Sequence, residues 1–257
     1  MSPASIPAPI AHAAQAALIR QLERVAQLHA ERRANPGLAA ALDRLAQWQA
    51  KRLRMTYHDL ARQPRYGGAI EFFQSDLYGG EDFAQRDADL ARVVPIMVRM
   101  LPARVIGTIA DAMELNVLSQ ELDLALLARL PGNDGRFGVA EYCRAFRSVG
   151  QRPRRERQIE LIVAIGKALD ASVNTPLIHA AMVMMRQPAR LAGLSVLHDF
   201  LERGFNAFRR MGGADDFLAT IAGREMALLD AVYGGAAAPF PDPLDGSAPC
   251  DTVAAPG

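Results

Sequence analysis

The sequence predicts an all-α protein of about ten helices, packed as one multi-helix bundle around a central apolar helix over residues 102–130. Three observations carry this. Apolar residues recur at three- and four-residue spacing through most of the chain. No stretch alternates with a period of two over strand length. Residues with β-branched side chains never cluster between turn signals.

Met1 to Pro9, with Pro3, Pro7 and Pro9 among small residues, reads as a disordered lead. Residues 10–233 read as a single all-α domain, a helical hairpin over 10–62 and a main core over 66–233. The first helix runs from Ile10 to about Ala34 and carries Ala14, Leu18, Leu22, Val25 and Leu28 on one side. Asn35-Pro36-Gly37 breaks it. A second helix from about Leu38 carries Leu42, Leu45, Trp48 and Leu53 and extends toward Tyr57 and Leu60. The short break predicts an antiparallel hairpin, standing partly apart from the core.

After the turn Gln63 to Gly68, a short helix concentrates Phe72, Phe73, Leu77 and Tyr78 in a chain poor in aromatics. These rings are expected to wedge between the hairpin and the central helix. Gly79-Gly80 should end this helix and Asp82 cap the next, whose stripe is Leu90, Val93, Val94, Met97 and Met100, kinked at Pro95. Pro102 suits the first turn of the central helix. That helix is apolar on two sides. Ile106, Ile109, Ala110, Met113, Val117 and Leu124 form one stripe, and Leu115, Leu118, Leu122 and Leu126 form another roughly opposite.

Pro131 to Gly135 is a loop, and a helix from Val139 to about Val149 should bury Tyr142, Cys143 and Phe146. A helix opening at Arg152 continues through Leu169. Asn174 or Thr175 with Pro176 begins another, Leu177 to about Arg186. Pro188 is expected to restart the chain as a helix to Met211, with Leu191, Leu194, Leu197, Leu201, Phe205 and Phe208 in register. Gly212-Gly213 ends it, and Asp215 caps a last helix to Tyr233. Residues 234–257 lose periodicity and read as a disordered tail.

The run Phe72-Phe73-Gln74-Ser75-Asp76-Leu77-Tyr78-Gly79 resembles the signature of a bacterial family of uncharacterised proteins known as FFLEE-motif proteins. Gln74, Ser75 and Asp76 stand where that name has Leu-Glu-Glu. The stretches Asp82 to Ala88, Met185 to Ala189 and Phe200 to Phe205 share the family look, so the resemblance covers about Leu53 to Tyr233. It implies a bacterial protein with one folded domain and brings no chemistry.

Composition excludes several functions. With 29 basic and 28 acidic residues the net charge is +1, so no global field marks a nucleic-acid or membrane partner. Lys51 and Lys167 are the only lysines, a bias of GC-rich bacterial genomes. Two distant cysteines, Cys143 and Cys250, fit a reducing compartment and no disulfide framework. The N-terminus lacks the pattern of a signal peptide, and no apolar run approaches the ~20 residues of a membrane span. The expected location is cytoplasmic.

Standard catalytic patterns are missing: no H-E-x-x-H, no Glu-x-x-His pair, no G-x-S-x-G, no glycine-rich phosphate loop and no C-x-x-C. Three constellations remain. Glu114 and Glu121, seven apart on the central helix beside Gly107 and Ala125, could share a polar pocket with displaced pKa values. Ordinary pairing with arginines such as Arg104, Arg186 or Arg203 explains them as well. Arg152, Arg154, Arg155 and Arg157 sit at a helix N-terminus, where cations oppose the macrodipole unless an anion shares the site. A solvated face is the plain explanation, and a phosphate or acidic segment the functional one. His179, among Leu177, Ile178, Met182 and Met184 and followed by two closing helices, stands in an order similar to the end of a globin, where the histidine ligates haem iron, although the central helix offers no second histidine above a haem. A structural histidine bonded to a backbone carbonyl serves equally.

The function expected is a non-enzymatic binding or protein-interaction module, which needs no cofactor or metal. Its partner is an unknown protein or a second copy docked through the amphipathic first hairpin. The alternative is a ligand-binding or haem-binding sensor on a globin-like helical fold, with His179 on the iron.

Overall fold

The computed structural model describes residues 8–76, 89, 103–132 and 137–244. Within these residues the secondary structure is helical throughout. The helices are α1 (Ala8–Ala34), α2 (Pro36–Thr56), α3 (His58–Ala61), α4 (Gly67–Asp76), α5 (Ala103–Leu127), α6 (Val139–Val149), α7 (Arg152–Val173), α8 (Pro176–Leu191), α9 (Ser195–Met211) and α10 (Asp215–Tyr233). The expected kinked helix over 82–101 falls outside the described residues except for Asp89, which is helical and buried. Tyr78 and the Gly79-Gly80 stop also fall outside them.

The two stripes of α5 find two different partners. Ile106, Ala110 and Met113 pack against Leu18 and Leu22 of α1, and Val117 packs against Val25 and Leu28. On the other side Leu118 and Leu122 meet Leu161 of α7. Helix α5 is therefore the middle of a three-helix layer, α1–α5–α7. Contacts of Arg154 with Glu121, Gln158 with Ser119 and Leu161 with Leu118 run in opposite chain directions, so α5 and α7 are antiparallel.

Packing moves the first two helices away from the arrangement expected. The principal partner of α1 is α5 rather than α2. Helix α2 does not stand apart: Ala41, Leu45 and Trp48 join a core with Leu126, Tyr142 and Cys143. Asn35-Pro36-Gly37 is also more than a break. The Asn35 side chain accepts a hydrogen bond from the Leu38 N–H (3.0 Å), and Pro36 occupies the first helical position. The triplet ends one helix and starts the next with no intervening loop.

A second core gathers Leu53, Tyr57, Leu60, Ile70, Phe205, Phe208, Met211, Phe217 and Leu218. Helix α4 lies here, against α9, and has no contact with α5 among the described residues. The phenylalanine pair is thus a wedge that meets the hairpin segment at Leu53, Tyr57 and Leu60 as expected, but with α9 and α10 on its other side in place of the central helix. Phe72 meets Phe200 at 5.3 Å, and Phe73 meets Phe208 and Phe217 at 6.3 and 6.0 Å. Arg65 fixes the approach by donating to the carbonyls of Met211 (2.9 Å) and Gly213 (3.1 Å) at the end of α9.

Two further boundaries differ from the sequence expectation. Helix α8 continues through Pro188 to Leu191, and the break comes at Gly193 (φ 69°). There Gly193 N–H bonds Arg190 C=O and Leu194 N–H bonds Ala189 C=O, a Schellman ending that needs the left-handed glycine. Pro188 is exposed, so water can serve the Met184 carbonyl that it strands. The tail also departs from expectation over 234–244. Phe240 is buried against Trp48 at 6.1 Å, and Arg147 donates to the carbonyls of Val232 and Ala236. One aromatic outweighs the Gly/Ala/Pro composition around it.

Close approach of α4 and α9 requires Gly204, because a Cβ there would lie 2.8 Å from Phe72 Cζ. Gly204→Ala should destabilise the protein by about 1–3 kcal/mol through overpacking, despite the roughly 1 kcal/mol that alanine gains in a helix. In a Phe72→Leu background the same substitution should be neutral or stabilising. Chemical denaturation of the four proteins checks this, and equal losses in both backgrounds would contradict the contact.

Candidate functional site

The arginine cluster and the glutamate pair turn out to be one structure. Arg157 holds Glu114 with two hydrogen bonds, 2.8 and 3.1 Å, from α7 to α5. Arg154 holds Glu121 at 2.5 Å, and Arg24 of α1 reaches the other oxygen of the same carboxylate at 2.7 Å. Arg152 is bonded to Glu156 (2.8 Å) and to Asp230 of α10 (2.6 Å). Arg155 lies over the Phe146 ring at 4.5 Å and donates to Gln158 and to the Leu122 carbonyl. The acids at the unfavourable helix N-terminus are the protein's own.

The partners expected for the glutamates were others. Arg186 is engaged with Glu202 instead. Burial opposes ionisation of Glu121, but the hydrogen bonds from Arg24 and Arg154 outweigh it and hold the carboxyl below its usual range. A cleft of about 70 Å³ opens between α1, α2 and α5, lined by Leu28, Arg32, Leu38, Leu42, Gln120 and Asp123, with neither Glu114 nor Glu121 among them. It has room for little more than water.

A more deeply buried pair escaped the sequence reading. Arg52 sits on α2 between Trp48 of one core and Leu53 of the other, and binds Glu225 of α10 at 2.8 and 3.3 Å. Tyr57 donates to the same carboxylate at 2.7 Å. Burial raises the Glu225 pKa, yet Arg52 and Tyr57 more than reverse it. Nothing in local sequence announces this pair, because its members lie far apart in the chain.

His179 is half-buried, its ring stacked parallel on Phe205 at 5.9 Å. The histidine bonded to a backbone carbonyl is His198, whose Nε2 lies 2.9 Å from the Met182 oxygen. Burial pushes the Cys143 thiol up to about 11, which removes it as a nucleophile at neutral pH.

Among the described residues, α8 exposes an apolar surface. Of the nine exposed large hydrophobic residues among those described, Val183, Met184, Met185 and Leu191 fall on α8. Met184, Pro188 and Leu191 share one side of that helix, with Met184 76% and Leu191 88% exposed. The break at Gly193 explains Leu191: the sequence register placed it in line with Leu197, Phe205 and Phe208, which are buried, whereas it ends a different helix pointing elsewhere. Methionine suits a contact surface because it adapts to its partner.

The chain belongs to the family described as domain of unknown function DUF8198, whose family model matches residues 28–239. No curated protein and no solved structure matches the chain. No single described helix is long and apolar enough to cross a membrane.

Removing one member of a buried ion pair strands the other, so Glu225→Gln should cost about 3 kcal/mol. Glu121→Gln, between half-exposed arginines, should cost about 1 kcal/mol. Both carboxyls ionise more readily folded than unfolded. Their stabilisation is therefore present above the ordinary carboxylate range, about pH 4.3, and fades as pH falls through the lower folded value. Denaturant titrations at pH 7 and at descending acid pH should show the gap between wild type and each variant closing. A gap that is constant with pH would contradict the pairing.

Proposed function

We propose that this protein is a non-enzymatic interaction module whose contact surface is the exposed apolar side of α8, and that its partner there is a second copy of the chain. The carrying observation is the stripe Met184–Pro188–Leu191 with Val183 and Met185 beside it, a contiguous group of exposed apolar side chains on one helix. Charges near it have both signs, Arg186 and Arg190 on α8 and Asp199 and Glu202 on α9. A two-fold contact brings one patch against itself, so a mixed rim can pair where a single-sign rim would repel. The net charge of +1 adds little repulsion between copies.

This surface replaces the first hairpin as the docking element, since the apolar side of α1 is spent on α5. A binding role rather than catalysis is supported by the use made of the charged candidates, whose acids and arginines serve one another. The resemblance to bacterial FFLEE-motif proteins and a cytoplasmic setting belong to the same reading.

Sedimentation velocity over a wide concentration range tests it. Wild type should pass from monomer to dimer, and Met184→Asp/Leu191→Asp should stay monomeric with unchanged circular dichroism, both positions being exposed. A wild type that remains monomeric at every concentration would overturn self-association. A variant that still dimerises would overturn the surface. Flotation of wild type, but not the variant, with phospholipid vesicles would assign α8 to a lipid surface instead.

A further inference from the structure

At the junction of α8 and α9, away from the Arg154–Glu121 and Arg157–Glu114 pairs, a buried ring nitrogen with no hydrogen bond faces two carboxylates. His198 is 7% exposed in its side chain, and its Nε2 lies 2.9 Å from the Met182 carbonyl oxygen. A carbonyl only accepts, so Nε2 carries the proton and the neutral ring presents a lone pair at Nδ1. That atom is buried and makes no hydrogen bond. It faces two carboxylates, Asp199 Oδ1 and Glu202 Oε2, each at 3.8 Å. This is too long for a hydrogen bond. Two donors sharing a cation, each bound at roughly 2.0–2.2 Å, can be separated by that much.

We propose that His198, Asp199 and Glu202 bind one divalent transition-metal ion. Helix geometry supplies the set: His198 and Glu202 are four residues apart on one side of α9, with Asp199 adjacent, and the three donor atoms lie within 4.8 Å of one another. Asp199, 47% exposed, gives the ion its entry and can rotate to close the set. The outer contacts are those that metal ligands require. Met182 C=O fixes the imidazole tautomer, and Arg186 Nη2 holds Glu202 through Oε1, while Oε2 keeps only a 3.3 Å contact with Arg186 Nε.

Both outer groups come from α8, one turn apart, and all three ligands come from α9, so the ion would fasten these helices together. One imidazole nitrogen and two carboxylates suit Zn²⁺ or Mn²⁺ better than Mg²⁺, which prefers oxygen and water. The order His-Asp-x-x-Glu matches neither H-E-x-x-H nor Glu-x-x-His, the helical metal motifs a sequence displays. Arg186 holds Glu202 in place, so Arg186→Gln should weaken binding.

The test is calorimetric titration and thermal shift of the chelator-stripped full chain with ZnCl₂ and MnCl₂, with MgCl₂ for contrast. Wild type should take up one ion per chain and melt higher with it. Asp199→Asn and Glu202→Gln, which keep side-chain shape and whose folding circular dichroism checks, should each weaken binding by at least about tenfold. Absence of uptake by wild type would overturn the site. So would a loss smaller than that in either variant, which would place the ion elsewhere.

Discussion

The fold depends on the burial of α5 along two opposite sides. A helix apolar on one side can lie on a surface; one apolar on two sides must lie between neighbours. Ile106, Ala110, Met113 and Val117 require α1, and Leu118 and Leu122 require α7. Once α1, α5 and α7 form a layer, only the two edges of α5 remain for polar groups. Glu114 and Glu121 lie there, and arginines of α7 and α1 reach them from both sides. The charged seam is a consequence of the apolar sandwich, and it fixes rotation and register where leucine packing alone would tolerate slippage.

Two cores hang on this layer, and α2 joins them. Its first half ends in the aromatic stack of Trp48 on Tyr142, centroids 4.4 Å apart, and its last turn enters the phenylalanine core of α4, α9 and α10. Arg52 stands at the boundary with Glu225 and Tyr57 as its answer. A charge buried there costs more than a leucine would, but it admits only one mate. It thereby ties α2 to α10 at a single register, which two adjoining apolar clusters would not define.

Periodicity made most of the helices readable from sequence, including both stripes of α5 and the span of α6. What it missed has specific causes. Asn35 was legible as a stop but not as the cap of its successor. Pro188 looked like a boundary because proline disfavours helix interiors, while Gly193, whose left-handed φ makes the real ending, carries no stripe. Phe240 was hidden by its neighbours' composition. The candidate charges were identified correctly as residues and only partly as relationships, since pairing between Arg157 and Glu114 depends on which helices touch. His198, Asp199 and Glu202 sit close in sequence, yet their interest lies in a Met182 carbonyl that sequence cannot position.

The apolar sandwich brings α7 against α5 in the register that pairs their charges, and this pairing occupies both the arginine cluster and the glutamate pair. A charge-exchange cycle addresses it most directly: thermal unfolding of Glu114→Arg, Arg157→Glu and the double exchange at low ionic strength. The pairing seen across this seam predicts that each single reversal lowers the melting temperature and that the double exchange recovers most of the loss. Losses that simply add would contradict it and return the arginines to the solvent.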